Sequence, residues 1–153
     1  MSQSGFPEPR MVRSNGIRMA VYEAGRGPAV VLSHGFPELA YSWRHQLPAL
    51  AAAGFRVIAP DQRGYGGTDR PDAVEAYDMA QLTADLVGLL DEAGIAKAVF
   101  CGHDWGGAVV SPIMWELLEE AASELITDGA MRRVTGLDTH VPRMGGAWSI
   151  SGM

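Results

Sequence analysis

Apolar and polar residues alternate from Met11 to Ser14 and again from Ile17 to Glu23, and Asn15-Gly16 joins the two runs. A period of two marks a half-buried strand, and Asn-Gly is the dipeptide that a tight type I′ turn requires, so this stretch predicts a β-hairpin. Ala29 to Ser33 is short, continuous and apolar, the pattern of a strand buried on both faces of a parallel sheet. From about Leu39 to Ala53 the apolar residues fall at helical spacing, with Trp43, Leu47 and Leu50 on one face and Gly54 placed as a C-terminal stop. Arg56 to Pro60 reads as a second buried strand. The polar, glycine-rich stretch Asp61 to Pro71 leaves its C-terminal end as a loop, and Gly64, Gly66 and Gly67 predict flexibility at the mouth of a site. Asp78 can cap a helix running to Ala93, with Leu82, Leu86, Leu89 and Leu90 as its apolar face and Gly94 closing it. Ala98 to Cys101 is the third strand predicted to be buried, and Gly102 to Gly107 joins it to another helix. Met1 to Arg10, with two prolines and little periodicity, is a loose leading segment.

Strands alternating with helices across short loops predict an α/β fold, a mostly parallel sheet with helices on both faces, in one domain over residues 1–153. Composition narrows the function. A formal charge of −6, with no run of Lys or Arg, removes the electrostatic footing for nucleic acid or an anionic membrane, so neither is expected as a partner. No apolar stretch approaches the ~20 residues that span a bilayer, and the first twenty residues carry no signal-like run. The single cysteine, Cys101, cannot form an internal disulfide, and a cytoplasmic setting is expected. Four histidines without metal-ligand spacing predict no metal site, and residue 69 is Asp where a dinucleotide fingerprint starting at Gly64 needs Gly, so no cofactor is expected.

Ligands of open α/β sheets bind outside the carboxyl ends of the strands, in the loops after Ser33, Pro60 and Cys101. The third loop, Gly102-His103-Asp104-Trp105-Gly106-Gly107, has the layout of a nucleophile elbow. Small neighbours at Gly102, Gly106 and Gly107 let a helix pass close to the strand, and Asp104 is thrust out at the helix N-terminus, which favours its carboxylate form. A carboxylate attacking an acyl carbon gives only a reactive anhydride, whereas attack on an electrophilic saturated carbon gives a stable alkyl ester. Epoxides or alkyl halides are therefore the implied substrates. Hydrolysis of that ester needs an oxyanion hole at the Asp104 carboxyl, for which the backbone N–H groups of Trp105 and Phe36 are the natural donors. A lone Asp in such a turn is also a common N-cap, and Gly-Gly a common turn. The joint occurrence of the elbow, the upstream His34-Gly35-Phe36-Pro37 and the intervening strand–helix order favours catalysis. His34 and His103 read as hydrogen-bonded histidines shaping these loops, His45 as exposed on a helix, and Met79 and Met114 as core.

His34-Gly35-Phe36-Pro37-Glu38, Tyr41-Ser42-Trp43-Arg44, Asp61-Gln62-Arg63-Gly64-Tyr65-Gly66 and the elbow together resemble α/β-hydrolases of the epoxide hydrolase family, in order from about Phe6 to Val110. Haloalkane dehalogenases share the Asp-Trp but usually carry Asn or Glu at the position of Phe36, and fluoroacetate dehalogenases usually carry Arg at that of Trp105. The resemblance implies an uncharged small-molecule epoxide bound at Phe36, Pro37 and Trp105, with Asp104 as nucleophile. It also implies parts that no residue here matches: a lid with two proton-donating tyrosines, the last strands of the sheet, and a late Asp and His pair. Tyr22, Tyr41, Tyr65 and Tyr77 all precede the elbow, and His140, in Gly136 to Pro142, resembles a strand-end Asn-Thr-Pro-His segment, not the family's base. Between Val110 and Arg133 the likeness fades, with Pro112 in the elbow helix and an acidic helix predicted over Trp115 to Ile126. The fold is therefore expected to be incomplete, with a sheet edge open to self-association and Asp104 giving at most a stoichiometric adduct. A non-catalytic binding or assembly module of the same ancestry is the alternative.

Overall fold

The computed structural model describes residues 6–113; Met114, the acidic stretch 115–126 and His140 lie outside the described residues. Five strands, β1 (Arg10–Ser14), β2 (Ile17–Ala24), β3 (Ala29–Ser33), β4 (Arg56–Pro60) and β5 (Ala98–Gly102), form one sheet in the order β1-β2-β4-β3-β5. β1 and β2 pair antiparallel, as do β2 and β4, whereas β3 pairs parallel with both β4 and β5. Only β2 runs against the rest, so the sheet is mixed but mostly of one direction. The hairpin turn has positive φ at both central residues, 45° at Asn15 and 78° at Gly16, as a type I′ turn demands.

The period-two pattern of β3 and β4 divides the core. Val31 and Ile58 face one side, where they meet Leu82, Leu86 and Leu89 of α2 (Met79–Glu92) and Val109 and Ile113 of α3 (105–113). Val30, Leu32, Val57 and Ala59 face the other, against Leu47 and Leu50 of α1 (Gln46–Ala52). Each large apolar side chain so buried contributes about 1.5–3 kcal/mol relative to exposure. Asp78 caps α2 by accepting a hydrogen bond from the Gln81 N–H at 2.8 Å, and Gly94, at φ 63°, follows its C-cap. The chain leaves β3 toward α1 on one face and β5 toward α3 on the other. The carboxyl ends of these adjacent strands are thus a topological switch point, the crevice where open α/β sheets bind ligands.

Three expectations are corrected. The helix predicted from Leu39 to Ala53 is broken into a 3₁₀ turn, Ala40–Trp43, and α1. Pro48 explains the break: its ring would collide with the Arg44 carbonyl in a continuous helix, whereas the first turn of α1 tolerates it. Trp43, Leu47 and Leu50 still share one core, and His45 is exposed at the N-cap of α1. Secondly, β5 is not buried on both faces: Ala98 and Phe100 pack inward, but Val99 is 61% exposed and Cys101 is exposed. α1 packs over β2 and β4, and among the described residues nothing covers its side of β5.

Thirdly, the glycine-rich loop after β4 is packed inward rather than loose, with Asp61, Gln62, Arg63 and Thr68 all buried. Asp61 accepts from the N–H groups of Ala40 (2.9 Å) and Gly67 (3.2 Å), and Thr68 Oγ1 donates to the Asp61 carbonyl at 2.6 Å. Arg63 Nε and Nη2 donate to the two oxygens of Asp85 at 2.8 and 2.6 Å, and Asn15 Nδ2 also donates to Asp85 at 3.1 Å. This ion pair ties the hairpin turn, the loop and α2 together beneath the carboxyl ends of the strands.

Candidate active site

β5 ends at Gly102, His103 leads into Asp104, and α3 begins at residue 105. Asp104 has φ 53°, a left-handed conformation that costs a non-glycine residue roughly 1–2 kcal/mol. The surrounding backbone imposes it: Gly106 N–H donates to the His103 carbonyl at 2.9 Å, Gly107 N–H to that of Asp104 at 2.9 Å, and His103 N–H to that of Ser33 at 3.2 Å. α3 then crosses the end of β3 so closely that a Cβ on Gly106 would collide with the carbonyl oxygens of Ser33 and His34, and one on Gly102 with the Gly106 backbone. Gly107 is different. A Cβ there would meet nothing nearer than the Gly102 carbonyl oxygen at 3.7 Å, an ordinary contact, so close approach requires glycine at two of the three elbow positions.

The Asp104 carboxylate is exposed but held. Oδ2 accepts from the Phe36 N–H at 3.0 Å and from the Trp105 N–H at 2.6 Å, and among the described residues no hydrogen bond reaches Oδ1. The Phe36 N–H foremost, then that of Trp105, hold the carboxyl below its ordinary value, because both bond only the ionised form well. One oxygen is thus committed to two backbone donors and the other is open for chemistry. The side chains of Phe36 (68% exposed) and Trp105 (42% exposed) put apolar surface on the two segments that hold the carboxylate, and Pro37 is also exposed.

The loop after β3 is built to deliver the Phe36 N–H. Gly35 leaves room for the elbow, since a Cβ there would lie 2.8 Å from Asp104 Cβ. The Phe36–Pro37 peptide is cis, and Glu38 N–H donates to the Gly35 carbonyl at 2.9 Å. His34 is fully buried: Nδ1 lies 2.9 Å from the Gly35 carbonyl oxygen, and Nε2 lies 2.9 Å from the Gln62 backbone nitrogen. The Gln62 side-chain amide in turn donates to the His34 carbonyl. Desolvation holds the His34 imidazole below its ordinary pKa. His103 is instead exposed, with Nδ1 3.6 Å from Glu38 Oε2.

The structure brings His34, Gly35, Phe36, Gly102, His103, Asp104, Trp105 and Gly106 to one end of the sheet. It adds Gln62 and Glu38, to which no role was given from the sequence. Gln62 had one signal, its place at the start of the loop after a buried strand, between the charged residues Asp61 and Arg63. No group of three His, Cys, Asp or Glu among the described residues is arranged to hold a metal ion, and no helix among them is long and apolar enough to cross a membrane.

The α/β hydrolase fold family matches residues 28–141. Epoxide hydrolase A of Mycobacterium tuberculosis is 65% identical over 108 residues, 69% of this chain and 34% of that protein. Epoxide hydrolase 3 of Siraitia grosvenorii is 53% identical over 98 residues, 64% of this chain and 31% of that protein. The crystal structure of epoxide hydrolase A from Mycobacterium thermoresistibile superposes with a TM-score of 0.66 at 63% identity, over 68% of this chain and 33% of that one. The chain therefore spans about a third of the length of these relatives. With its strand order, its glycine-packed elbow and its family match in agreement, this chain belongs to the α/β-hydrolase fold family, alongside proteins named epoxide hydrolases.

Proposed function

We propose that Asp104 is the nucleophile of an epoxide-opening reaction and that Phe36 and Trp105 form its oxyanion hole. The observation that carries this is the asymmetry of the carboxylate: Oδ2 receives two backbone N–H donors and Oδ1 receives none among the described residues. Oδ1 attacks an epoxide carbon, the ring C–O bond breaks with its electron pair passing to the ring oxygen, and that oxygen takes up a proton. The product is a hydroxyalkyl ester of Asp104. Water adding to the Asp104 carboxyl carbon then moves negative charge onto Oδ2, where the two N–H groups already point. Collapse releases the diol, which carries the former Oδ1 away, and the carboxylate is restored with an oxygen from water. The exposed rings of Phe36 and Trp105, with Pro37, suit an uncharged, apolar epoxide, and the names of the relatives support an epoxide over an alkyl halide. In this reading Asp104 and the two N–H groups supply the nucleophile and the oxyanion donors, and full turnover also needs an acid for the ring oxygen and a base for the water.

The test is alkylation by an uncharged aryl epoxide followed by intact and peptide mass spectrometry. Cys101 is an exposed thiol three residues away and can itself open epoxides, so the experiment uses the Cys101→Ser chain. An adduct on Asp104, absent from Asp104→Ala, is expected, or, where hydrolysis follows, heavy oxygen from labelled water in the Asp104 carboxyl. An unmodified and unlabelled Asp104, or equal reaction with an alkyl halide, sinks the proposal in favour of a binding module or a dehalogenase.

A further inference from the structure

We infer that His34 is a positioning residue that aims the Phe36 N–H at Asp104 Oδ2 by pinning the opposite end of the same peptide group, an inference that rests on the nucleophile reading above. The Gly35 carbonyl and the Phe36 N–H belong to one planar trans peptide and point in opposite directions from it. The carbonyl is held by His34 Nδ1 at 2.9 Å and by the Glu38 N–H at 2.9 Å, while the N–H reaches Asp104 Oδ2 at 3.0 Å. Turning that plane to release the carbonyl swings the N–H off the carboxylate. The residue before the plane is glycine, required there by the nearness of Asp104 Cβ, so local sterics restrain the plane only weakly and an outside anchor must set it.

The His34 ring is suited to be that anchor. A carbonyl oxygen can only accept and a backbone N–H can only donate. The contacts to the Gly35 carbonyl and the Gln62 N–H are therefore both satisfied only by a neutral ring with its proton on Nδ1 and a bare Nε2. Full burial and the edge contact with the Tyr65 ring, centroids 5.1 Å apart, hold the imidazole in place. Direction thus passes from the end of β4 through the ring to the Gly35–Phe36 peptide and onto Asp104. The Trp105 N–H needs no such anchor, because α3 itself fixes it, and it serves as an internal control.

A simple strap between β3 and β4 would have the same contacts, so the test separates the two ring nitrogens. His34→Asn places an amide nitrogen near the position of Nδ1 and keeps the donor to Gly35. His34→Gln reaches the position of Nε2 and keeps only an acceptor for Gln62. The readouts in the full chain are the NMR titration of the Asp104 carboxyl and the amide signals of Phe36 and Trp105, none of which needs an epoxide. Positioning predicts that His34→Asn titrates like the wild type. His34→Gln should raise the Asp104 midpoint, move the Phe36 amide but not that of Trp105, and speed Phe36 amide exchange roughly tenfold. Wild-type behaviour of His34→Gln, or equal effects of both variants, overturns the inference. Should neither variant fold, the imidazole ¹⁵N shifts of the wild-type chain decide: a charged ring at neutral pH, or a proton on Nε2, overturns it as well. A chain that passes these tests yet forms no adduct keeps the positioning role and loses the nucleophile.

Discussion

Replacing Asp85 with Ala should be among the most damaging single changes away from the elbow. The Arg63 and Asp85 side chains are 5% and 2% exposed and meet through two charge-assisted bonds of 2.8 and 2.6 Å. Removing the carboxylate leaves a guanidinium that cannot neutralise itself, stranded where water does not reach; breaking a buried pair in this way costs about 3–5 kcal/mol. Against a total stability of roughly 5–15 kcal/mol for a domain, and about 3 °C per kcal/mol at this size, the melting temperature should fall by about 10 °C. Removing both charges is another matter. Arg63→Met with Asp85→Leu leaves Asn15 Nδ2 bonded to Gln81 Oε1 at 2.9 Å, so most of the loss should be recovered. The exposed pair of Arg18 and Asp69, with side chains 63% and 36% accessible, sets the baseline, and Asp69→Ala should cost far less than Asp85→Ala because water screens the pair. Urea unfolding of the four chains, followed by circular dichroism, measures all these differences. An Asp85→Ala loss no larger than that of Asp69→Ala would refute the claim that burial makes this pair matter.

Acid should weaken the fold before its carboxylates titrate. The folded pKa of His34 lies below the unfolded one, so stability is whole above about pH 6.5 and is lost as the pH falls further, because the unfolded chain takes the proton first. The urea midpoint should decline between about pH 6.5 and 5 and the decline should shrink in His34→Asn; a flat wild-type profile contradicts this. Gly106→Ala should cost at least about 1–3 kcal/mol and abolish the Asp104 adduct, while Gly107→Ala, which has room, should be nearly silent in both unfolding and adduct assays. β5 pairs with β3 alone among the described residues and exposes Val99, so sedimentation should show concentration-dependent association that Val99→Lys reduces.

Strand positions were legible wherever local chemistry and tertiary context agreed. Asn15-Gly16 needs positive φ twice and has it, and Asp78 and Gly94 bracket α2 because capping chemistry is local. The breaks in legibility are nonlocal. Pro48 reads as tolerable or fatal to a helix depending on where the first turn falls, and periodicity alone does not fix that. The burial of β5 depends on which strands and helices α1 reaches, a property of sheet order that its own five residues do not carry. Asp85 lies with Leu82, Leu86 and Leu89 on the buried face of α2, and a lone acid there signals a buried cationic partner; which cation, Arg63, is decided only by the loop that folds back.

At the site, residue type and spacing placed Asp104 in an elbow, because a small residue, an acid and two glycines between a strand and a helix leave the backbone few alternatives. They could not say which carboxylate oxygen is free, since that depends on the N–H groups of Phe36 and Trp105, far apart in sequence, reaching the same atom. The Trp105 N–H comes with the helix, whereas the Phe36 N–H must be brought from the neighbouring strand and held at the right angle. A geometry assembled from two strands needs a third point to fix it, and the loop after β4 supplies one through Gln62 and His34. The inward packing of that loop, where glycine content predicted looseness, thus follows from the same requirement that makes Asp104 asymmetric. A flexible loop there would leave the Gly35–Phe36 peptide free to turn and Oδ2 with one donor, and the two oxygens of Asp104 would lose most of their chemical distinction.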